Sequence, residues 1–311
     1  MLEVKDLRKT FGEVVAVDQL SFTIKEGEIM GLIGQNGSGK TTSFRLILDL
    51  FIPDKGSVKW KGKAIDKSIH NHIGYLPEER GLYPKRTIED QVYYFARLKG
   101  KKKKEIEPLI DRWMDRFEVK GKRTDKVKEL SKGNQQKVQL MTTLIHEPDL
   151  IILDEPFSGL DPVNAGLLED SIKEAADRGA CIIFSSHNMN NVEQLCDSAV
   201  MLKDGSRVLG GSLDSIRQKF GRTKVYLEAP VTSQALSDLA GVSRVLDLKG
   251  DKKLVYLTDP EAGKAVFDLA TAGGYIYQFS QQPPSLEEIF KEMVGGCLLY
   301  TSPSPRDRQK S

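Results

Sequence analysis

Over residues 2–24, apolar positions alternate with polar ones: Leu2, Val4 and Leu7, then Val14 to Val17, then Leu20, Phe22 and Ile24, closed by a turn at Glu26-Gly27. Period-two alternation around turn residues predicts a small antiparallel sheet. Residues 29–33 are almost wholly apolar, as a strand buried on both faces requires, and they run into a glycine-rich loop and a helix over about 40–50. Strands are expected again across 56–75. From Thr87 to about Lys128 the spacing becomes helical, with Val92, Phe95, Ala96 and Leu98 on one stretch and Ile106, Ile110, Trp113, Met114 and Phe117 on the next. This predicts an inserted helical subdomain. An α/β alternation then resumes: helix 133–145, strand 150–153, helix 162–177, strand 181–185, helix 190–195 and a hairpin turning at Asp204-Gly205.

After a helix over 214–220, Gly221-Arg222-Thr223 reads as a linker. Beyond it the expected order is a strand (224–228), a helix (233–240), two strands turning at Gly250-Asp251, a helix (261–272) and a strand (275–280). That βαββαβ order is the ferredoxin-like arrangement, a four-stranded sheet with two helices on one face. Pro284 then stops the chain, Ser285 is placed to cap a closing helix, and Leu286, Ile289, Phe290 and Met293 share one of its faces. Periodicity ends at Cys297. The string CLLYTSPSPRDRQKS resembles a translated sequencing-library adapter, so residues 297–311 read as a non-native tail and are set aside from the fold, a natural polar tail being the alternative. The expected division is residues 1–220, with the helical subdomain at about 87–130, and residues 222–296.

Composition narrows the function classes. A chain of 311 residues predicts two domains at about 150 residues each. Lys and Arg number 46 against 44 Asp and Glu, and the tail's Arg306, Arg308 and Lys310 against Asp307 supply the whole of that +2. A neutral chain is not expected to coat nucleic acid, which demands an excess of cations. The basic run Lys101 to Lys104 is followed by Glu105 and Glu107 and reads as a solvated edge. Apolar runs such as 150–153 fall far short of the roughly 18 residues that span a bilayer, and the N-terminus lacks the pattern of a secretory signal. Three cysteines, Cys181, Cys196 and Cys297, do not make a disulfide framework, and a reducing cytosol is expected.

Two segments carry chemistry. Gly34, Gln35, Asn36, Gly37, Ser38, Gly39, Lys40, Thr41 and Thr42 match the P-loop pattern G-x-x-x-x-G-K-[ST], between a strand and a helix as that motif requires. The glycines let several backbone N–H groups point at one phosphate, Lys40 neutralises phosphate oxygens and Thr41 offers a hydroxyl to Mg²⁺. Residues 150–153 form an apolar strand ending abruptly in Asp154 and Glu155, at the edge where parallel sheets bind ligands. Alone this is also an ordinary strand-to-loop transition. Beside a P-loop, Asp154 suits Mg²⁺ and Glu155 suits a general base.

With these motifs the chain resembles the ATP-binding cassette (ABC) ATPases. Leu130-Ser131-Lys132-Gly133-Asn134-Gln135-Gln136 is similar to the family's L-S-G-G-Q signature, with Lys132 and Asn134 as departures. Ser158-Gly159-Leu160-Asp161 and Ser186-His187 follow in the family's order. The resemblance implies an α/β P-loop NTPase fold: a RecA-like core, an antiparallel β subdomain and a helical subdomain, here with a small α+β ferredoxin-like domain. It implies two cassettes head to tail, with ATP between the P-loop of one and Ser131, Gly133 and Gln135 of the other. Phe11 would stack on adenine, Asp161 would face the opposite subunit, and His187 would sense the γ-phosphate. Thr41, Asp154 and Glu78 would surround Mg²⁺, Glu78 standing where the family usually has Gln. The further expectation is a cytosolic exporter subunit of the sodium-efflux and multidrug type. It would be peripheral on the inner membrane face and docked through residues near 79–94 on a separately encoded permease. A soluble ABC-type ATPase acting on ribosomes or DNA is the alternative. The C-terminal domain reads as either a dimer-stabilising or a regulatory module.

Overall fold

The computed structural model describes residues 1–66, 69–79 and 81–295; the suspected tail lies outside the described residues. The chain forms two compact units that divide between Ser212 and Leu213. The first unit begins with β1 (Leu2–Phe11), β2 (Val14–Ile24), β3 (Ile29–Gly34), α1 (Lys40–Ile47), β4 (Lys55–Trp60), β5 (Lys63–Ala64) and β6 (Ile73–Leu76). It continues with α2 (Ile88–Leu98), α3 (Lys103–Arg116), α4 (Lys132–Leu144), β7 (Leu150–Leu153), α5 (Pro162–Asp177), β8 (Cys181–Ser186), α6 (Met189–Leu195), β9 (Ser198–Lys203) and β10 (Ser206–Ser212).

Ten strands form a sheet in the order β5-β4-β1-β2-β10-β9-β3-β8-β7-β6. At one end β1 pairs antiparallel with β2 and β4, and the alternating apolar positions meet across the strands as Leu2↔Ile24, Val4↔Phe22 and Leu7↔Leu20. At the other end β9, β3, β8, β7 and β6 run parallel. Every residue of β3, β7 and β8 is buried, which is why these segments are apolar without alternation. Their carboxyl ends lie side by side, bringing the loops after residues 34, 153 and 186 to one edge. The two halves join through β10, which meets β2 at a single parallel pair, Ser206↔Asp18. Ala16 O lies in this seam: a Cβ added at Gly39 or Gly205 would come within 2.4 Å or 2.9 Å of it, so neither position has room for a side chain.

The second unit contains α7 (Leu213–Phe220), β11 (Lys224–Glu228), α8 (Ser233–Ser237), β12 (Val242–Asp247), β13 (Lys252–Leu257), α9 (Gly263–Thr271), β14 (Gln278–Gln282) and α10 (Leu286–Gly295). Its strands are all antiparallel in the order β12-β13-β11-β14, the ferredoxin-like order. Val225, Leu227, Val255 and Leu257 form its core with Leu236 of α8 and Val266 and Ala270 of α9. Ser285 Oγ accepts from Glu288 N (3.3 Å) and Ser285 N donates to Glu288 Oε2 (2.7 Å), a reciprocal cap at the start of α10. Lys224 Nζ and Tyr256 OH donate to the same carboxylate (2.9 Å and 3.1 Å), tying β11 and β13 to α10.

Several boundaries differ from expectation for local reasons. α1 ends at Ile47, with Asp49 in the left-handed region at φ 56°. Strand character in 56–75 is broken by a 3₁₀ turn, Ile69–His72. α8 stops at Ser237, ahead of Gly241 at φ 84°. The helix expected from 261 opens instead with a 3₁₀ turn, Pro260–Ala262, capped by Asp259. β14 starts at Gln278 because Gly274 (φ 109°) turns the chain and leaves Tyr275 and Tyr277 in solvent.

One buried ionisable group sets an acid limit. His146 is 3% exposed, and burial, with the charges of Lys99 and Lys101, pushes its imidazole from 6.5 to about 4. The folded state therefore keeps the ring neutral while the unfolded chain binds a proton below 6.5. Its contribution to stability is complete above pH 6.5 and is lost as pH falls toward 4. Between pH 7 and 4.5 this site should cost roughly 2 to 3 kcal/mol. Urea unfolding of His146→Leu is expected to lose stability less steeply than wild type over that interval; parallel slopes would contradict the assignment.

Candidate functional site

After β3 the segment Gln35 to Gly39 curls into α1. Gly37 (φ 82°) and Gly39 (φ 102°) adopt backbone conformations that other residues rarely take. The N-terminus of α1 has no side-chain cap, so its first N–H groups face outward as donors for an anion. Lys40 is buried and donates from Nζ to Gly34 O (2.9 Å) and Gln35 O (3.2 Å), which holds its charge inside the loop. Thr41 Oγ1 donates to Asp154 Oδ2 (2.8 Å), and Thr42 follows half-buried on α1.

Asp154 closes β7 at 1% exposure, with its second oxygen accepting from Ser185 Oγ (2.6 Å). That hydroxyl accepts in turn from Glu155 N (2.8 Å). Ser185 was not singled out by the motifs; the available signal is a hydroxyl, wholly buried, at the end of the apolar strand β8. Glu155 itself has φ 49°, a left-handed conformation costing about 1 kcal/mol for a residue with a Cβ. It turns the carboxylate back toward the P-loop. Glu155 Oε2 lies 2.8 Å from His187 Nδ1, while Oε1 stands 3.9 Å from Lys40 Nζ and has no hydrogen-bond partner among the described residues. A buried carboxylate oxygen left open beside a P-loop lysine is suited to take a proton from water. The outward N–H groups and Lys40 fit a polyphosphate, and the hard oxygens of Thr41 and Asp154 fit Mg²⁺.

The other candidate residues sit on other elements of the first unit. Ser131 caps α4, accepting from Asn134 N (3.3 Å) and Asn134 Nδ2 (3.1 Å), so Asn134 reinforces the turn it departs from the signature in. Gln135 Nε2 donates to Leu130 O (3.0 Å) and Gln136 Nε2 to Ser158 O (3.0 Å), joining α4 to the loop after Glu155. Asp161 caps α5, and its bonds from Asn164 hold its carboxyl below the ordinary value. Ser131, Gly133, Asn134, Lys120, Lys137 and Asp161 line one open concavity, to which no P-loop residue contributes. A Cβ at Gly133 would meet nothing within 4 Å. Phe11 ends β1 at 45% exposure, and Glu78 is exposed two residues beyond β6, the strand next to β7.

A P-loop and an acid-tipped strand on a parallel sheet define a nucleoside-triphosphatase. The ABC transporter family matches residues 17–158, and the C-terminal domain of DrrA1-3-like ATP-binding proteins matches residues 211–294. The chain is 42% identical over 295 residues to the ABC transporter ATP-binding protein YhaQ of Bacillus subtilis (strain 168), covering 95% of this chain and 99% of the relative. It is 30% identical to the Nod factor export ATP-binding protein I of Sinorhizobium fredii (strain NBRC 101917 / NGR234), covering 94% and 86%. A solved ATP-binding subunit of an ABC transporter superposes with a TM-score of 0.68 at 32% identity, over 71% of this chain and 93% of that one. A dimeric bacterial ABC transporter cassette gives 0.60 at 25% identity, over 68% and 99%. The chain belongs to the ABC transporter ATP-binding proteins: it is an ATP-binding, ATP-hydrolysing subunit of a transporter. Such a subunit implies a partner permease. Among the described residues no helix is long and apolar enough to cross a membrane.

Proposed function

We propose that two copies, or this chain and a paired cassette, close head to tail around two ATP molecules and drive export through a separate permease on the inner membrane face. The observation that carries this reading is the separation of two half-sites: the P-loop centre and the Ser131 concavity share no lining residue. Each half holds donors for the nucleotide that the other lacks, so a composite site requires a second cassette.

In this reading Gly34 to Thr42 bind the phosphates, Lys40 neutralises their charge, and Phe11 stacks on adenine. Thr41, Asp154 and Glu78 hold Mg²⁺, which supplies charge neutralisation when bound. Glu155 accepts the proton of the attacking water, and His187 orients Glu155 through the Nδ1 contact and meets the γ-phosphate. Ser131, Gly133 and Gln135 complete the opposite site, with Asp161 at the junction. The cassette corresponds to the first compact unit, Met1–Ser212, and the unit that follows is an accessory domain that stabilises or regulates the pair; the boundary expected at 220–222 differs because α7 clusters with the second unit. The resemblance to the Nod factor export proteins supports export as the direction. Sedimentation velocity tests the pairing: the full chain should shift to a larger species with Mg²⁺ and the β,γ-imido analogue of ATP, and not with ADP. An unchanged sedimentation coefficient at saturating analogue would overturn it.

A further inference from the structure

Residues 48–54 run from the end of α1 to β4, and this loop closes on the tip of β1. Asp54 Oδ2 accepts from Thr10 N (2.6 Å) and Thr10 Oγ1 (2.7 Å), and Oδ1 accepts from Lys9 Nζ (3.2 Å). Asp54 N donates to Arg8 O (2.8 Å), and Lys9 Nζ also donates to Ile52 O (2.8 Å). Three successive residues of β1, Arg8, Lys9 and Thr10, are thus pinned by one short loop immediately before Phe11.

The reason lies in the sheet. Thr10 still pairs with Val15 of β2, but pairing of β1 with β4 ends at Arg8↔Lys55, so among the described residues no strand meets the Thr10 N–H on the β4 side. The Asp54 carboxylate replaces the missing strand. The Thr10 bonds, and then Lys9, hold its carboxyl at about 2, so it is an anion throughout the physiological range. The same loop touches the aromatic ring: Phe51 meets Phe11 edge-on with centroids 5.5 Å apart, and Lys9 Nζ lies 5.6 Å from the Phe11 centroid. Phe11 nevertheless stays 45% exposed, so these contacts orient the ring without covering it. The loop is also fastened to α1, whose N-terminus is the phosphate loop: Leu50 N and Phe51 N donate to Arg45 O (2.9 Å and 3.2 Å), and the Arg45 guanidinium lies 5.6 Å from the Phe51 ring centroid.

We propose that Asp54 is a positioning residue for nucleotide binding: it fixes the end of β1 so that the open face of Phe11 receives the purine at a set distance from the P-loop. Asp54 acts through Phe11 and touches neither base nor phosphate, and the inference rests on the reading that Phe11 stacks on adenine. A misplaced platform loses the base and keeps the phosphates, so the effect separates two ligands. The test measures affinities of the full chain for the β,γ-imido analogue of ATP and for inorganic tripolyphosphate, each with Mg²⁺, by calorimetry.

Asp54→Ala is expected to weaken the nucleotide analogue about tenfold and tripolyphosphate less than twofold, with Asp54→Asn intermediate because it keeps one acceptor oxygen. Asp54→Asn carries the comparison if the alanine variant does not fold. Equal losses for both ligands, or no loss for the analogue, would overturn the proposal. Phe11→Ala distinguishes the two levels: if it leaves the ratio of the two affinities unchanged, the platform reading fails and this inference with it. If it lowers that ratio while the Asp54 variants do not, the inference alone fails.

Discussion

Glu155→Gln is expected to lower ATP turnover by about a thousandfold, close to 4 kcal/mol of barrier, while nucleotide affinity stays within a few-fold of wild type. The amide keeps the size of the side chain, and the backbone bond from Glu155 N to Ser185 and the left-handed φ have no reason to change. What is lost is the basicity of Oε1, the oxygen that has no hydrogen-bond partner among the described residues. In the proposed cycle hydrolysis releases the closed pair, so the variant should accumulate as a nucleotide-bound dimer. Phosphate release and sedimentation with Mg²⁺ and ATP measure both effects. A rate above a tenth of wild type would remove Glu155 from the role of general base.

Gly133→Asp is the complementary case, with a loss of turnover above a hundredfold expected from a site that never meets the variant's own P-loop. No atom of the chain lies within 4 Å of the added Cβ, and an acidic residue in the first turn of α4 complements the helix dipole. Folding stability should therefore hold or rise by a few tenths of a kcal/mol. Affinity of the isolated chain for nucleotide should be unchanged, since in the proposed pairing the lesion acts on phosphate carried by the partner. Mixing this variant with Lys40→Ala offers a stringent check: each is inactive alone, yet a mixed pair holds one intact composite site. Absence of any recovered turnover on mixing would argue that the concavity serves something other than a second cassette's nucleotide.

Much of the architecture was legible because its elements obey simple periodicities. The alternation over 2–24 maps onto β1 and β2, and the unbroken apolar runs map onto β3, β7 and β8, which are buried on both faces. The βαββαβ order of the second unit sufficed for its sheet, since strand order there follows from connectivity. Less was legible where tertiary contacts decide. Nothing in the spacing places Ser185 between Asp154 and Glu155, because the two strands that carry them are adjacent only in the folded sheet. Equally, the left-handed backbone at Glu155 shows only in the folded chain, and the hydrogen bonds of Asp54 to the tip of β1 follow from where β1–β4 pairing stops. Motif residues are read by identity, whereas the partners of Asp154 and Glu155 show only through hydrogen bonds.

The seam at β10 carries a mechanical consequence. Ser206↔Asp18 is the one registered pair between β10 and β2, and Ala16 O is crowded there by Gly39 and Gly205. Phe11 belongs to the antiparallel half and Lys40 to the parallel half. One hydrophobic core, from Leu2, Leu7 and Phe22 to Phe44, Ile152 and Ile183, runs beneath both halves, so a nucleotide held at Phe11 and Lys40 would bridge two edges of a body already braced from within.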